Sequence, residues 1–227
     1  MMIDISIGTA KLLIWEDFLN QTEADSWFEH FNSTVQWQSE QVKVFGKIYD
    51  QPRLTALYAD EERSYTYAGL TLKAFCFTEK MKLLKSEIED LTGHHYNSCL
   101  FNLYRNEKDS NGWHADDEPE LGPTPVIASL SLGATRRFHI KHKTDKTLKQ
   151  SIDLKHGSLL LMGGRSQLDF KHQLPKTRTP KASRINLTFR YIFEGLRRKN
   201  PPPSTYPRQR LIVSSRWPGK IAPLSMP

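Results

Sequence analysis

From residue 97 onward the chain breaks into short runs that leave few choices of fold: "CLFNLYR" (99–105), "PVIASLSLG" (125–133), "RRFHIKHK" (136–143), "GSLLLMGG" (157–164) and "SRINLTFRYIF" (183–193). Each is of strand length, rich in branched and aromatic side chains, and set apart by turn-forming residues. Ahead of them, Met81, Leu84, Ile88 and Leu91 recur at three- and four-residue spacing, with Gly93 where a C-terminal cap belongs, so residues 78–92 are expected to be helical. Residues 22–32 read as a shorter amphipathic helix capped by Thr22, with acids in its first turn. Helices followed by closely spaced strands point to an α+β chain whose sheets pack as a sandwich or jelly roll.

The bulk numbers narrow the class. With 227 residues, 38% of them hydrophobic, the chain has ample material for one core. It holds no run of about 18 apolar residues, so no membrane span is expected. The start "MMIDISIGTAKLLIW" lacks the basic-then-apolar pattern of a signal peptide. The expectation is an intracellular protein: cytoplasm or nucleoid if bacterial, nucleus if eukaryotic. Cys76 and Cys99 sit in apolar contexts and read as buried thiols in a reducing compartment. The net charge of +7 resides in the last 33 residues, where Lys and Arg number seven and acids none. Residues 1–194 are left with 25 of each sign, so the pI alone is no argument for nucleic-acid binding. The segment 195–227, with seven prolines, reads as an extended or disordered basic tail beside a single domain at 1–194.

Within that domain "NGWHADDEPELG" (111–122) places His114 and Asp116 one residue apart. A third ligand is available in His172, shortly after "GSLLLMGG", which antiparallel pairing can bring back to the first two. Two imidazoles and a carboxylate on one face of an octahedron suit non-haem Fe(II), with positions left open for co-substrate and dioxygen. A closed zinc site would want a fourth protein ligand. On the last strand, Arg184, Asn186, Thr188 and Arg190 face one way and Ile185, Leu187 and Phe189 the other. That polar face is either a solvated surface or the seat of a dicarboxylate co-substrate, for which the planar guanidinium fork is suited. The two arginines stand about 20 Å apart at their origins, so one would grip a carboxylate while the other reaches the metal end.

The pattern H-x-D … H … R-x-N-x-T-x-R, carried by His114, Asp116, His172, Arg184, Asn186, Thr188 and Arg190, resembles the signature of the AlkB-type Fe(II)/2-oxoglutarate dioxygenases over roughly residues 35–193. The resemblance implies a double-stranded β-helix (jelly roll) with flanking N-terminal helices, its core at about 96–193 and a nucleotide-recognition lid at about 38–70. It implies Fe(II) on His114, Asp116 and His172, and 2-oxoglutarate held by Asn102, Tyr104, Arg184, Asn186 and Arg190, with O2 as oxidant. The implied reaction is oxidative demethylation of 1-methyladenine and 3-methylcytosine in DNA, with release of formaldehyde, succinate and CO2.

Base contacts follow from the same resemblance. Tyr65 and Tyr67 would stack on a flipped, cationic base, Asp117 and Glu118 would favour its charge, and Arg53 would pin the lid. The likeness is to the duplex-preferring animal homologues, whose wedge appears here as Val44, Phe45 and Gly46. A wedge of this kind fills the space that a flipped base leaves. Taken without the resemblance, "KVFGK" is a hairpin with Gly46 at its turn and Phe45 in the core. Phosphate contacts are expected from Arg136, Arg137, Lys141, Lys143, Lys171, Lys176, Arg178 and Lys181, with Lys176 and Arg178 foremost. The chain is expected to be a monomer whose partner is DNA, double-stranded with a flipped methylated base, with RNA as the second candidate and no membrane. Two other readings are a 2-oxoglutarate dioxygenase acting on RNA, protein or a small molecule, and a non-catalytic nucleic-acid-binding module.

Overall fold

The computed structural model describes residues 1–44, 47–61, 64–67 and 70–193, with backbone alone at 42–44, 47, 64–67 and 70–72. The chain opens with β1 (Met2–Asp4), β2 (Ala10–Trp15) and α1 (Gln21–Thr34), followed by β3 (Gln41–Val44), β4 (Lys47–Asp50), β5 (Leu54–Ala59), β6 (Ser64–Tyr67) and β7 (Leu70–Cys76). Then come α2 (Glu79–Thr92), β8 (Ser98–Tyr104), β9 (Asn111–His114), β10 (Ile127–Gly133), β11 (Arg136–His142) and β12 (Lys149–Leu154). The last elements are β13 (Ser158–Gly164), α3 (Ser166–Asp169), β14 (Phe170–Leu174) and β15 (Arg184–Arg190).

Both expected helices form. Their caps show why they begin where they do. Thr78 accepts from the Met81 amide to start α2, and Gly93, at φ 70°, ends it. In α1 the cap is Asn20 rather than Thr22: its side chain accepts from the Glu23 amide, and Glu23 answers through the Asn20 amide. That reciprocal capping box satisfies two otherwise orphaned donors, which Thr22, already the second residue of the helix, cannot do.

The strands form a jelly roll of two facing sheets. A nine-stranded sheet runs β1-β2-β13-β10-β15-β8-β5-β7-β6, and a four-stranded sheet runs β12-β11-β14-β9. The large sheet takes in β1 and β2, which lie N-terminal of the expected core. Period-two alternation divides its side chains between two cores. Phe101, Leu130, Leu161, Ile185 and Leu187 pack toward the helices with Phe31 and Leu84. Leu160 and Met162 face the small sheet and meet Phe138, Ile140 and Phe170. Full burial of each such side chain stabilises by roughly 1.5–3 kcal/mol. Gly133 closes β10 at φ 85°, where a Cβ would lie 2.5 Å from the Ser183 carbonyl and 2.7 Å from the Phe28 ring. Only glycine fits that corner.

All seven residues of β15 are buried, so its polar face is not a solvated surface. It looks into the space between the sheets. One cysteine departs from expectation: Cys99 is buried, but Cys76 is exposed at the end of β7. An apolar local context did not bury it, because β7 lies near the edge of the large sheet.

Candidate active site

Between the sheets, the row of apolar contacts gives way to polar side chains. Asn102 and Tyr104 of β8, Arg184 of β15 and Ser129 of β10 line one cavity together with His114, Asp116 and His172. Antiparallel pairing sets His172 directly opposite His114 on β14 and β9, their ring centroids 4.2 Å apart and inclined at 68°. Ligand-capable atoms of His114, Asp116 and His172 all lie within 4.8 Å of one another. The return of the chain through β14 therefore brings the third residue to the first two.

The register slips between His172 and Leu174, which pairs with Asn111. One extra residue on β9 makes a bulge there, and a bulge shifts the side-chain alternation. It turns Asn111 and His114, three positions apart, into the same cavity. The Asn111 amide reaches His114 Nε2 at 3.2 Å, while His114 Nδ1 lies 2.7 Å from the Gly112 carbonyl. Donation from Nδ1 to that carbonyl leaves the Nε2 lone pair free to act as acceptor or metal ligand.

The protonation states suit metal binding. Burial, and the nearby His114 ring, push His172 down to about 3, and burial lowers His114 as well, so both imidazoles are neutral near pH 7. Burial alone would raise the Asp116 carboxyl, but the charge of Arg190 and the two imidazoles hold it at about 2. Arg190 Nη2 contacts Asp116 Oδ1 at 3.1 Å, and the Asp116 amide donates to Gln167 Oε1 at 3.0 Å. Phe138 stacks on the His172 ring, with centroids 5.3 Å apart and planes at 29°.

Arg184 lies toward the other end of the strand. It is 2% exposed and lies 5.4 Å from the centroid of the Tyr104 ring. Its Nη2 donates to Ser131 Oγ at 2.8 Å, and its buried Nε finds no partner among the described residues. Burial brings its pKa down to about 10, so it stays charged near neutrality. A buried cation with no carboxylate beside it is costly unless an anionic ligand completes it. The residues present thus fit both groups that the sequence suggests, a divalent metal at the triad and a carboxylate at Arg184.

The remaining expected residues fall in several places. Asn186 spends both amide hydrogens on Ser129 Oγ and the Leu130 carbonyl, each at 2.9 Å, and so braces β15 on β10. Arg53 is buried and donates through Nε to Asn102 Oδ1 at 2.8 Å, tying the start of β5 to the cavity wall. Asp117 is exposed and accepts from Lys143 at 3.0 Å. Burial, together with the Asp116 charge, pushes Glu118 up to about 7. Lys176 and Arg178 are exposed on the segment between β14 and β15. Val44 pairs with Lys47 across the β3–β4 hairpin, while Phe45 and Gly46 lie outside the described residues, as do the side chains of Val44, Tyr65 and Tyr67.

Arg136 is a correction. It is 2% exposed and donates to the carbonyls of Asn106, Asp109 and Pro175 at 3.1, 2.9 and 2.8 Å, so it holds loops together and offers nothing to phosphate. Four residues were missed from sequence: Asn111, Ser131, Phe138 and Gln167. Ser131 and Phe138 sit on strands whose alternation was visible. Asn111 depends on the bulge and Gln167 on α3, and neither had a local signal.

Two neutral imidazoles and an ionised carboxylate, opening on a cavity that also holds a buried arginine, are a donor set that suits a divalent metal such as non-haem Fe(II). Residues 11–190 match the family model of the 2OG-Fe(II) oxygenase superfamily, and the chain belongs to it. Within that superfamily it is an AlkB-type Fe(II)/2-oxoglutarate dioxygenase, as its relatives show. The alpha-ketoglutarate-dependent dioxygenase alkB homolog 3 of Bos taurus is 44% identical over 195 residues, covering 82% of this chain and 68% of its own. The Homo sapiens protein of that name is 42% identical with the same coverage. DNA oxidative demethylase ALKBH2 of Homo sapiens is 36% identical over 182 residues, covering 76% of this chain and 70% of its own. The solved structure of OsALKBH1 superposes with a TM-score of 0.56 at 19% identity, covering 84% of this chain and all of that one, which bears on the fold alone. The family implies Fe(II), 2-oxoglutarate and O2. No helix among the described residues is long and apolar enough to cross a membrane.

Proposed function

We propose that this chain removes N-methyl groups oxidatively from 1-methyladenine and 3-methylcytosine in DNA, restoring the base. The observation that carries the reading is the pairing, in one buried cavity, of the His114–Asp116–His172 cluster with an Arg184 that has no carboxylate partner among the described residues. The name DNA oxidative demethylase borne by the ALKBH2 relatives supports the choice of substrate. When bound, Fe(II) and 2-oxoglutarate supply the oxidation of an N-methyl carbon by O2, with 2-oxoglutarate leaving as succinate and CO2 and the hydroxymethyl group as formaldehyde.

The chain's own residues account for the rest. His114, Asp116 and His172 would hold the metal, and Arg190 would keep the Asp116 carboxylate charged and aimed. Arg184 would take the far carboxylate of 2-oxoglutarate, with Tyr104 and Asn102 along the wall. Asn186 would act by bracing β15, since its donors are already engaged. Arg53 would fix Asn102 rather than close over the base. The apolar wall of Phe138, Leu154 and Met162 would keep water from the reacting carbon.

Tyr65 and Tyr67 are proposed to stack on the flipped base, with Asp117 and Glu118 near it and Lys176 and Arg178 on the backbone. Val44, Phe45 and Gly46 are proposed as a wedge that offsets part of the cost of unstacking a duplex base. Two measurements test this reading together. Formaldehyde and succinate should form in equal amounts with a methylated oligonucleotide and iron. Phe45→Ala should slow the reaction on duplex much more than on single strands. Succinate without formaldehyde would send the substrate assignment elsewhere.

A further inference from the structure

The outer face of the four-stranded sheet carries an arrangement that the site does not use. Lys141 on β11 pairs in register with Lys149 on β12 at one side and with Lys171 on β14 at the other. Three exposed lysines therefore stand abreast on one face, on strands about 4.8 Å apart. Like charges directly opposite one another destabilise a sheet. Among the described residues Lys149 and Lys171 have no ion pair to relieve this. Asp153, the acid on the same face of β12, is already taken by Arg137 in a two-point contact at 2.9 and 3.0 Å.

An aromatic ring completes the row. Lys141 Nζ stands 4.1 Å from the ring centroid of Trp113, which is 39% exposed. The ring lies on the bulged strand β9, next to His114, while Lys171 is next to His172. The row is thus attached to the two strands that supply both imidazoles of the candidate metal site, on the opposite side of the sheet from the cavity.

We propose that Lys149, Lys141 and Lys171, with Trp113 at the end of the row, bind the phosphodiester backbone of the nucleic acid outside the nucleotide being processed. This rests on the nucleic-acid reading of the site. A chain of phosphates supplies negative charge at the repeat a lysine row needs, and releases counterions on contact. The Trp113 face offers a sequence-tolerant platform for a base, as exposed aromatics beside basic grooves do. An isolated anion would neutralise one lysine; a polyanion neutralises the row.

The test uses the full chain and unmodified oligonucleotides, single-stranded and duplex, with fluorescence anisotropy over a range of salt. The triple variant Lys141→Ala, Lys149→Ala, Lys171→Ala should flatten the slope of log affinity against log salt by about 2 on single strands and nearer 3 on duplex. Trp113→Ala should weaken binding at all salt concentrations and leave the slope alone. A charge-matched control, Lys11→Ala, Lys80→Ala, Lys82→Ala, should leave binding close to wild type. Thermal denaturation guards against misfolding: relieving the repulsion should leave the triple variant's Tm equal to wild type or higher. A wild-type slope in a folded triple variant overturns the proposal while sparing the nucleic-acid reading. No oligonucleotide binding by the wild-type protein overturns that reading itself. Loss of binding to anionic phospholipid vesicles, with oligonucleotide binding intact, would assign the row to a membrane surface instead.

Discussion

Arg190 and Asp116 meet at 3.1 Å, both almost wholly buried, and their contact joins the last strand of the large sheet to the loop that leaves β9. The pair links the two sheets at the point where the candidate metal ligands gather. Removing the cation would leave Asp116 as an uncompensated buried charge. Arg190→Met is expected to cost about 3–5 kcal/mol of stability, the usual penalty for breaking a buried pair on one side. Urea unfolding of the metal-free protein checks this, and a loss below 1 kcal/mol would show the pair to be dispensable.

Arg184 behaves differently, because among the described residues its charge has no carboxylate to leave behind. Arg184→Gln should leave the unfolding midpoint equal or higher, since a buried cation is removed. The same change should raise the KM for 2-oxoglutarate by at least about tenfold, the loss of one charge-assisted contact. Titration calorimetry with 2-oxoglutarate separates the two effects. Unchanged affinity would deny Arg184 the role of carboxylate holder.

For Arg136 a structural role is expected. Arg136→Met strips donors from three backbone carbonyls, at roughly 1–3 kcal/mol for each one left unsatisfied. The variant should unfold at distinctly lower urea while its salt dependence of oligonucleotide binding stays that of wild type. A flattened slope at normal stability would return Arg136 to the phosphate surface.

Asp109 gives a pH signature away from the metal ligands. Burial would raise its pKa, but hydrogen bonds from the Arg105 side chain and amide, with the Arg105 and Arg136 charges, bring it below the ordinary value of 3.8. Its folded-state pKa is depressed, so its contribution is present above the unfolded pKa and fades as pH falls through the folded one. Asp109→Asn should therefore be less stable than wild type at pH 6, and the two should converge below about pH 3.8. A gap that persists at low pH would mean that shape, not charge, makes the contribution.

How much was legible in advance differs residue by residue. The alternation of β15 showed that Arg184 and Arg190 share a face, because a period of two survives in any strand. It did not say whether that face meets water, which depends on the second sheet lying over it. His172 was readable as a partner for His114 because short antiparallel returns bring such residues together. Asn111 was not, since a one-residue bulge reverses the face its spacing implies. Arg136 read as a surface charge like its neighbour Arg137, yet the two point to opposite faces of β11, one into three carbonyls and the other to Asp153. Lys141 and Lys171 were legible as candidate phosphate contacts, but their alignment with Lys149 was not, because register, not sequence proximity, sets the three abreast.

The most direct test of the central claim is the mass of a duplex oligonucleotide carrying one 1-methyladenine, after incubation with the protein, Fe(II), 2-oxoglutarate and O2. A matching single strand and a His172→Ala variant run beside it. The expected result is loss of one CH2 unit in mass, dependent on iron and absent in the His172→Ala variant. An unchanged oligonucleotide, with succinate still formed by the wild-type protein, would contradict demethylation of DNA while leaving the oxygenase class in place.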